Sequence, residues 1–336
     1  MLSTLKPSLV HTAPALANVA QNPALVGLPI QLRPGGATPR TVTLNLKAEE
    51  VIAEVAPGMN FSFWTFNGAV PGPMLRVMEG DTVVINLSND SKNTRAYAID
   101  MPAELRPNRD TVVTNLMPGE TATLTFSAAK SGAYAYYGAG AETRTTHAAH
   151  GMFGLLLVEP LGGLPLMQKE FYIGRSEWYL GSTRKLALPI PGLKMSFFDL
   201  DEQKILAEQP DFFTFNGHTQ ALQTIFTNIV VDQYDQVRLF FVASGPNKGS
   251  DFYITGQIFD KVYTGHLDSC VKNARTAFVA PGSAAVFELD ALVPGKYIGL
   301  DHALYRMAKG AVGFLQVNQN SDPFHLFFPK MTTVGI

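Results

Sequence analysis

The tetrapeptide Thr65-Phe66-Asn67-Gly68 returns 149 residues later as Thr214-Phe215-Asn216-Gly217, and further motifs recur after it in the same order. Gly80-Asp81 opens the run Thr82 to Leu87, and Tyr234-Asp235 opens Gln236 to Val242. Pro118-Gly119-Glu120 precedes Thr121 to Phe126, and Pro281-Gly282-Ser283 precedes Ala284 to Leu289. Gly132 to Tyr136 matches Gly295 to Gly299. Gly151-Met152-Phe153-Gly154 matches Gly310-Ala311-Val312-Gly313. A repeat this long is a duplicated domain, not a solenoid unit. The chain must therefore fold into two copies of one architecture.

Each half is a series of short runs with period-two alternation, punctuated by Pro-Gly turns, and long amphipathic helices are not evident. The pattern predicts an all-β chain of two tandem Greek-key β-sandwiches. The expected division is an N-terminal arm over 1–40, a first domain over 41–160, a second over 161–320 and a tail over 321–336. Gly162-Gly163 sits near the boundary between domains. Leu186 to Asp201 reads as a long loop. The tail, with Phe324, Phe327, Phe328 and Pro329, reads as a strap on a neighbouring surface.

Composition narrows the function. Charged residues make up 16% of the chain against a typical value of about 25%, as suits a well-packed globular protein. A net charge of −2 gives no electrostatic footprint for nucleic acid. No apolar run is long enough to form a transmembrane segment. One cysteine, Cys270, allows neither an internal disulfide nor a zinc cluster. The stretch Leu9 to Ala20 is interrupted by His11 and Pro14 and is a poor signal-peptide core. It is read as an extended arm, with an export remnant ending near Ala15-Leu16-Ala17 as the alternative. The chain contains no Gly-x-Ser-x-Gly turn, phosphate-binding loop or dinucleotide fingerprint.

The segment Trp64 to Pro73, the Pro118-Gly119-Glu120 turn and Gly151 to Gly154 resemble the copper-containing nitrite reductases, a two-domain cupredoxin family, over roughly residues 45–320. The resemblance implies cupredoxin-like domains, an extracytoplasmic (periplasmic) homotrimer, a type 1 copper in the first domain and a type 2 copper between subunits. In the family's type 1 site, a cysteine is followed by a histidine nine positions on and a methionine five further. Those positions here are Gly138, His147 and Met152, and the other type 1 histidine falls at Tyr97. The three type 2 histidines fall at Pro102, Tyr137 and His302. The proton-delivering pair falls at Asp100 and Gln257. Of these seven ligand positions, three (His147, Met152 and His302) keep the family's residue.

His147, His150 and Met152 together could form a weak copper or zinc site; the competing reading makes His147 a relic hydrogen-bonded to Tyr97. Tyr134, Tyr136 and Tyr137, with Tyr97, read as phenols filling the space left by metal and imidazoles, or as a radical site. Asp100 could pair with Arg95, Arg106 or Arg109 as an anion pocket or as a structural ion pair. Cys270, His218 and His266 fall outside any ligand spacing. The expected function is that of a copper-free relative with no cofactor and no catalytic residues, kept as a structural or interaction subunit with a possible redox-protein partner. Two readings from other classes stand beside it. One is a metal-binding oxidoreductase rebuilt around His147, His150, Met152 and His302, and the other is a binder of a small ligand in the emptied pocket.

Overall fold

The computed structural model describes residues 38–102, 105, 115–140, 142–187, 194–223 and 229–319. The N-terminal arm up to residue 37, the aromatic tail, Arg106 and Arg109 lie outside the described residues.

Twenty-one strands form four sheets among these residues. In the first half, Met59–Phe66, Thr41–Ala56, Thr82–Asn89 and Thr121–Ser127 lie side by side. They face a four-stranded sheet in the order Leu75–Met78, Phe153–Glu159, Gly132–Gly140, Tyr97–Asp100. In the second half, a six-stranded sheet built around Lys169–Trp178, Gln236–Gly245 and Ser283–Asp290 faces a five-stranded sheet that includes Gly295–Asp301 and Val312–Asn318. The chain is all-β, with two cupredoxin-like sandwiches and, among the described residues, only three short helices.

Alternation explains the layering. Thr82–Asn89 buries every second residue, as a strand with one face on the core should. Phe153–Glu159 is buried throughout because both of its faces are covered. Leu156 and Val158 point into the core of the first half, while Leu155 and Leu157 point into a core between the halves. Gln236–Gly245 does the same from the other side: Phe240 and Val242 join the central core, and Leu239 and Phe241 join the second-half core. Phe61 and Phe63 meet the Trp178 ring edge-on in the central core, at 5.5 and 5.0 Å. The Trp178 indole N–H donates to Thr214 Oγ1 at 2.7 Å.

Beside that core runs a buried ionic chain. Glu170 accepts from Arg76 of the first half at 2.6 Å and from Arg238 of the second at 2.7 Å. Arg76 also binds Glu159, and Arg238 binds Glu288 at 2.7 Å.

Of the loop expected over 186–201, residues 186–187 and 194–200 are instead strand; 188–193 lie outside the described residues. Leu180–Ala187 and Lys194–Leu200 make an antiparallel hairpin that extends the first half's sheet, pairing Phe198 with Phe61. The apolar side chains Met195, Phe197 and Phe198 give this segment strand character, and its attachment is a long-range contact.

Candidate functional site

Strand register and one helix bring together the positions that the resemblance assigns to a type 1 copper. Tyr97 and Gly138 lie on neighbouring strands, with Tyr97 opposite Gly140 and Ile99 opposite Gly138. His147 stands on the helix Arg144–Ala149, whose start is capped by Thr143 Oγ1 accepting from the Thr146 N–H. The chain then folds back, so that Met152 N–H donates to the His147 carbonyl and Gly138 N–H donates to the Met152 carbonyl, at 2.9 and 2.8 Å.

The side-chain space at Gly138 is already filled. A β-carbon there would lie 2.4 Å from Met152 Sδ and 2.8 Å from His147 Nδ1. His147 is 0% exposed, and neither ring nitrogen has a hydrogen-bond partner among the described residues. Burial lowers its pKa to about 4. The bond expected between His147 and Tyr97 is absent: the Tyr97 hydroxyl is directed to Glu50 Oε1 at 3.3 Å, and its ring meets His147 edge-on at 5.8 Å. A carboxylate is the stronger acceptor, and Glu50 lies on a strand of the facing sheet. Burial raises the Tyr97 phenol, so it is not a phenolate donor near neutral pH. One imidazole and one thioether are too few donors for a blue-copper centre, which needs two imidazoles and a thiolate. The residues present do not fit that metal.

His150, grouped above with His147 and Met152 as a weak metal site, is the C-cap of the same helix. It is buried, its Nδ1 donates to the Ser62 carbonyl at 2.7 Å, and its ring stacks on Trp64. Among the described residues, no group of three or more His, Cys, Asp or Glu side chains is arranged to hold a metal.

Tyr137, one of the positions that the resemblance assigns to type 2 copper, faces Asp100, assigned to proton delivery, in register. The Tyr137 hydroxyl donates to the Ser244 carbonyl at 3.0 Å, tying the first half to the second. Burial pushes its pKa up to about 12. Asp100 is paired with Arg144, at 3.5 Å, and not with Arg95, which pairs with Glu142. The Arg144 guanidinium lies 4.1 Å from the Tyr137 ring centroid. A cleft of about 420 Å³ opens beside Asp100 and Pro102. His302 and Gln257 do not line it. His302 is exposed and stacks on Tyr253 at 4.4 Å, and the Gln257 N–H closes a turn onto the Ile254 carbonyl. Elsewhere, Cys270 is half-buried against the central core, His218 Nδ1 accepts from the Gln220 N–H and His266 meets Asp268 at 3.2 Å.

Sequence reasoning missed Glu50, Glu142 and Arg144. Each acts through a partner distant in the chain, and no local spacing signals them.

The multicopper oxidase family model matches residues 47–162. A copper-containing nitrite reductase of Neisseria meningitidis is 36% identical over 286 residues, covering 85% of this chain and 72% of that protein. The enzyme of the same description from Alcaligenes xylosoxydans is 29% identical, covering 84% and 88%. Among solved structures, the copper nitrite reductase from Nitrosomonas europaea superposes with a TM-score of 0.72 at 27% identity, covering 84% of this chain and 96% of that one.

Proposed function

Because the chain belongs to the copper-containing nitrite reductase family, we propose that it is a nitrite-reductase-like protein without the copper centres, acting as a structural or interaction subunit. The observation that carries this reading is Gly138. The position aligned with the thiolate has no donor, and Met152 Sδ occupies the space a side chain would need. The second support is Tyr137, whose hydroxyl is committed to the Ser244 carbonyl at a position where the resemblance expects an imidazole. Pro102 has no donor atom, which leaves His302 as the single imidazole of the type 2 set. Copper would carry the chemistry of such a site, so losing its ligands removes turnover more completely than losing one acid or base.

The same reading includes a division into domains near residue 160, assembly as a homotrimer, an extracytoplasmic location and a redox protein as the docking partner. The intact strand and turn pattern in both halves supports a scaffold held for assembly.

The test is direct. Purified protein incubated with copper should stay colourless, and supplied with a strong artificial electron donor it should make no nitric oxide from nitrite above a free-copper control. The quadruple variant Tyr97→His, Pro102→His, Tyr137→His and Gly138→Cys should regain copper at one or both sites. An intense visible charge-transfer band in the unmodified protein would overturn the reading. Light scattering that shows a monomer at micromolar concentration would remove the trimer from it.

A further inference from the structure

The six-stranded sheet of the first half ends on Leu180–Ala187 at one side and on Thr121–Ser127 at the other. An edge strand offers unpaired backbone groups, and proteins guard it with charge, proline, a bulge or short length. Leu180–Ala187 carries Arg184 and Lys185. Among the described residues, the edge strands of the other three sheets are four residues long each. Thr121–Ser127 has none of these guards: it runs for seven residues with no charge, no proline and an unbroken register against Thr82–Asn89.

The open side of this strand is set up to pair. The Glu120 carbonyl accepts the Asn89 N–H, and the Ala128 N–H donates to the Asp81 carbonyl, so the even-numbered residues turn their backbone groups toward Thr82–Asn89. By alternation Thr121, Thr123 and Thr125 turn theirs outward, where no backbone partner meets them among the described residues. The side chains of these threonines and of Ser127 are exposed on the outer face, while Leu124 and Phe126 are buried beneath. Thr123 Oγ1 donates to Asn86 Oδ1, and Asn86 Nδ2 donates to Asn45 Oδ1, both at 3.0 Å. That face is a polar ladder, which stays in water when the sheet is extended sideways. The ends of the strand differ in charge: exposed Glu120 precedes it and exposed Lys130 follows it. Glu120 gives one carboxylate oxygen to the Met117 N–H at 2.8 Å, and Lys130 makes no ion pair among the described residues.

We propose that Thr121–Ser127 is a self-association edge, pairing antiparallel with the same strand of a second copy of this chain across a two-fold axis. With the axis at Leu124 the two strands overlap along their whole length. Thr123 then stands opposite the partner's Thr125, and Thr121 opposite the partner's Ser127. Hydroxyl pairs directly across antiparallel strands are favourable. The partner's Lys130 lies diagonally from Glu120, within reach of a lysine side chain, and the two-fold makes that contact twice. An unrelated strand would find no charge along this edge to select it, whereas the antiparallel second copy brings the opposite charge to both ends. The contact is separate from the trimer proposed above, so the mass of the assembly at least doubles whether its base unit is one chain or three.

The experiment is light scattering of the full chain at low salt and about 100 μM, where a small edge contact is populated. The unmodified chain should have at least twice the mass of the double variant Thr123→Lys, Thr125→Lys. That variant sets like charges opposite each other across the two-fold at exposed positions, and its circular dichroism spectrum should be unchanged. Lys130→Glu should weaken association by at least about threefold, and adding Glu120→Lys to it should restore association. A purely local role for either residue would not be reversed by that exchange. Amide exchange at Thr123 and Thr125 should be slower in the unmodified chain than in the double variant. Equal masses for the unmodified chain and the folded double variant, or no recovery in the charge exchange, would overturn the proposal. Amides protected equally in both would also overturn it, because another part of the same chain would then cover the edge.

Discussion

The imidazole of His150 lies flat against the indole of Trp64, with centroids 3.8 Å apart and planes 10° apart. Its Nδ1–H is committed to the Ser62 carbonyl, so the ring is held as one neutral tautomer. The Arg95 guanidinium lies 4.9 Å from the same indole. An imidazole held this way is a packing element.

Two buried neutral imidazoles make stability depend on acid. Burial lowers His147 to about 4 and His150 to about 3, from an ordinary value of 6.5. Below the ordinary value the unfolded chain takes up protons that the folded chain does not, so stability falls as pH drops from 6.5 toward 4 and is flat in these groups above it. Each contributes a loss of roughly 2 kcal/mol by pH 5. Urea unfolding at about pH 5 and about pH 7.5 should show the lower midpoint in acid. Equal midpoints would contradict the burial of these rings.

His147→Leu should stabilise the protein. Both ring nitrogens are buried without partners among the described residues, and a polar group in that state costs about 1–3 kcal/mol that an apolar side chain of similar size does not. The variant should unfold at higher urea and lose part of the acid sensitivity. A destabilised variant would mean that His147 has a partner in solution.

Gly138→Ala should destabilise by about 1–3 kcal/mol, the usual cost of overpacking, because its methyl group would stand 2.4 Å from Met152 Sδ. Combining it with Met152→Ala should cost less than the sum of the two. Additive losses in thermal unfolding would show that the two side chains do not compete for this space.

Glu170→Gln should cost about 3–5 kcal/mol, since it leaves Arg76 and Arg238 without their shared buried carboxylate. Replacing Arg76, Glu159, Glu170, Arg238 and Glu288 together with apolar residues should cost less than this single change, because it strands none of the charges of this ionic chain in the interior. Denaturant midpoints of the two variants decide it, and the reverse order would refute the account.

Much of the fold was legible because the repeated turns do the same job twice. Asn67, at φ 56°, donates its N–H to the Lys47 carbonyl and accepts the Lys47 N–H on Oδ1. Asn216, at φ 49°, makes the same clasp with Gly174. Asp81 and Asp235 each close a turn after a residue of positive φ, Gly80 and Tyr234. These signals are local and survive in the sequence. The pairing of the hairpin over 180–200 with Phe61 was not legible, because it depends on an open sheet edge far away in the chain. The partners of Tyr97 and Asp100 were missed for the same reason. A spacing rule can mark where a ligand is missing, but not which group from another strand takes up the vacated bond.

That hairpin changes what duplication means for this chain. Two copies of a gene segment begin as interchangeable modules, and either could be lost, swapped or expressed alone. Here the second copy supplies Leu180–Ala187 and Lys194–Leu200 to the sheet of the first. A fragment ending near residue 160 would expose the backbone edge of Met59–Phe66 together with Phe61 and Phe63, a template for aggregation. Cutting the chain at the apparent seam should therefore give a first half that aggregates where the full chain does not.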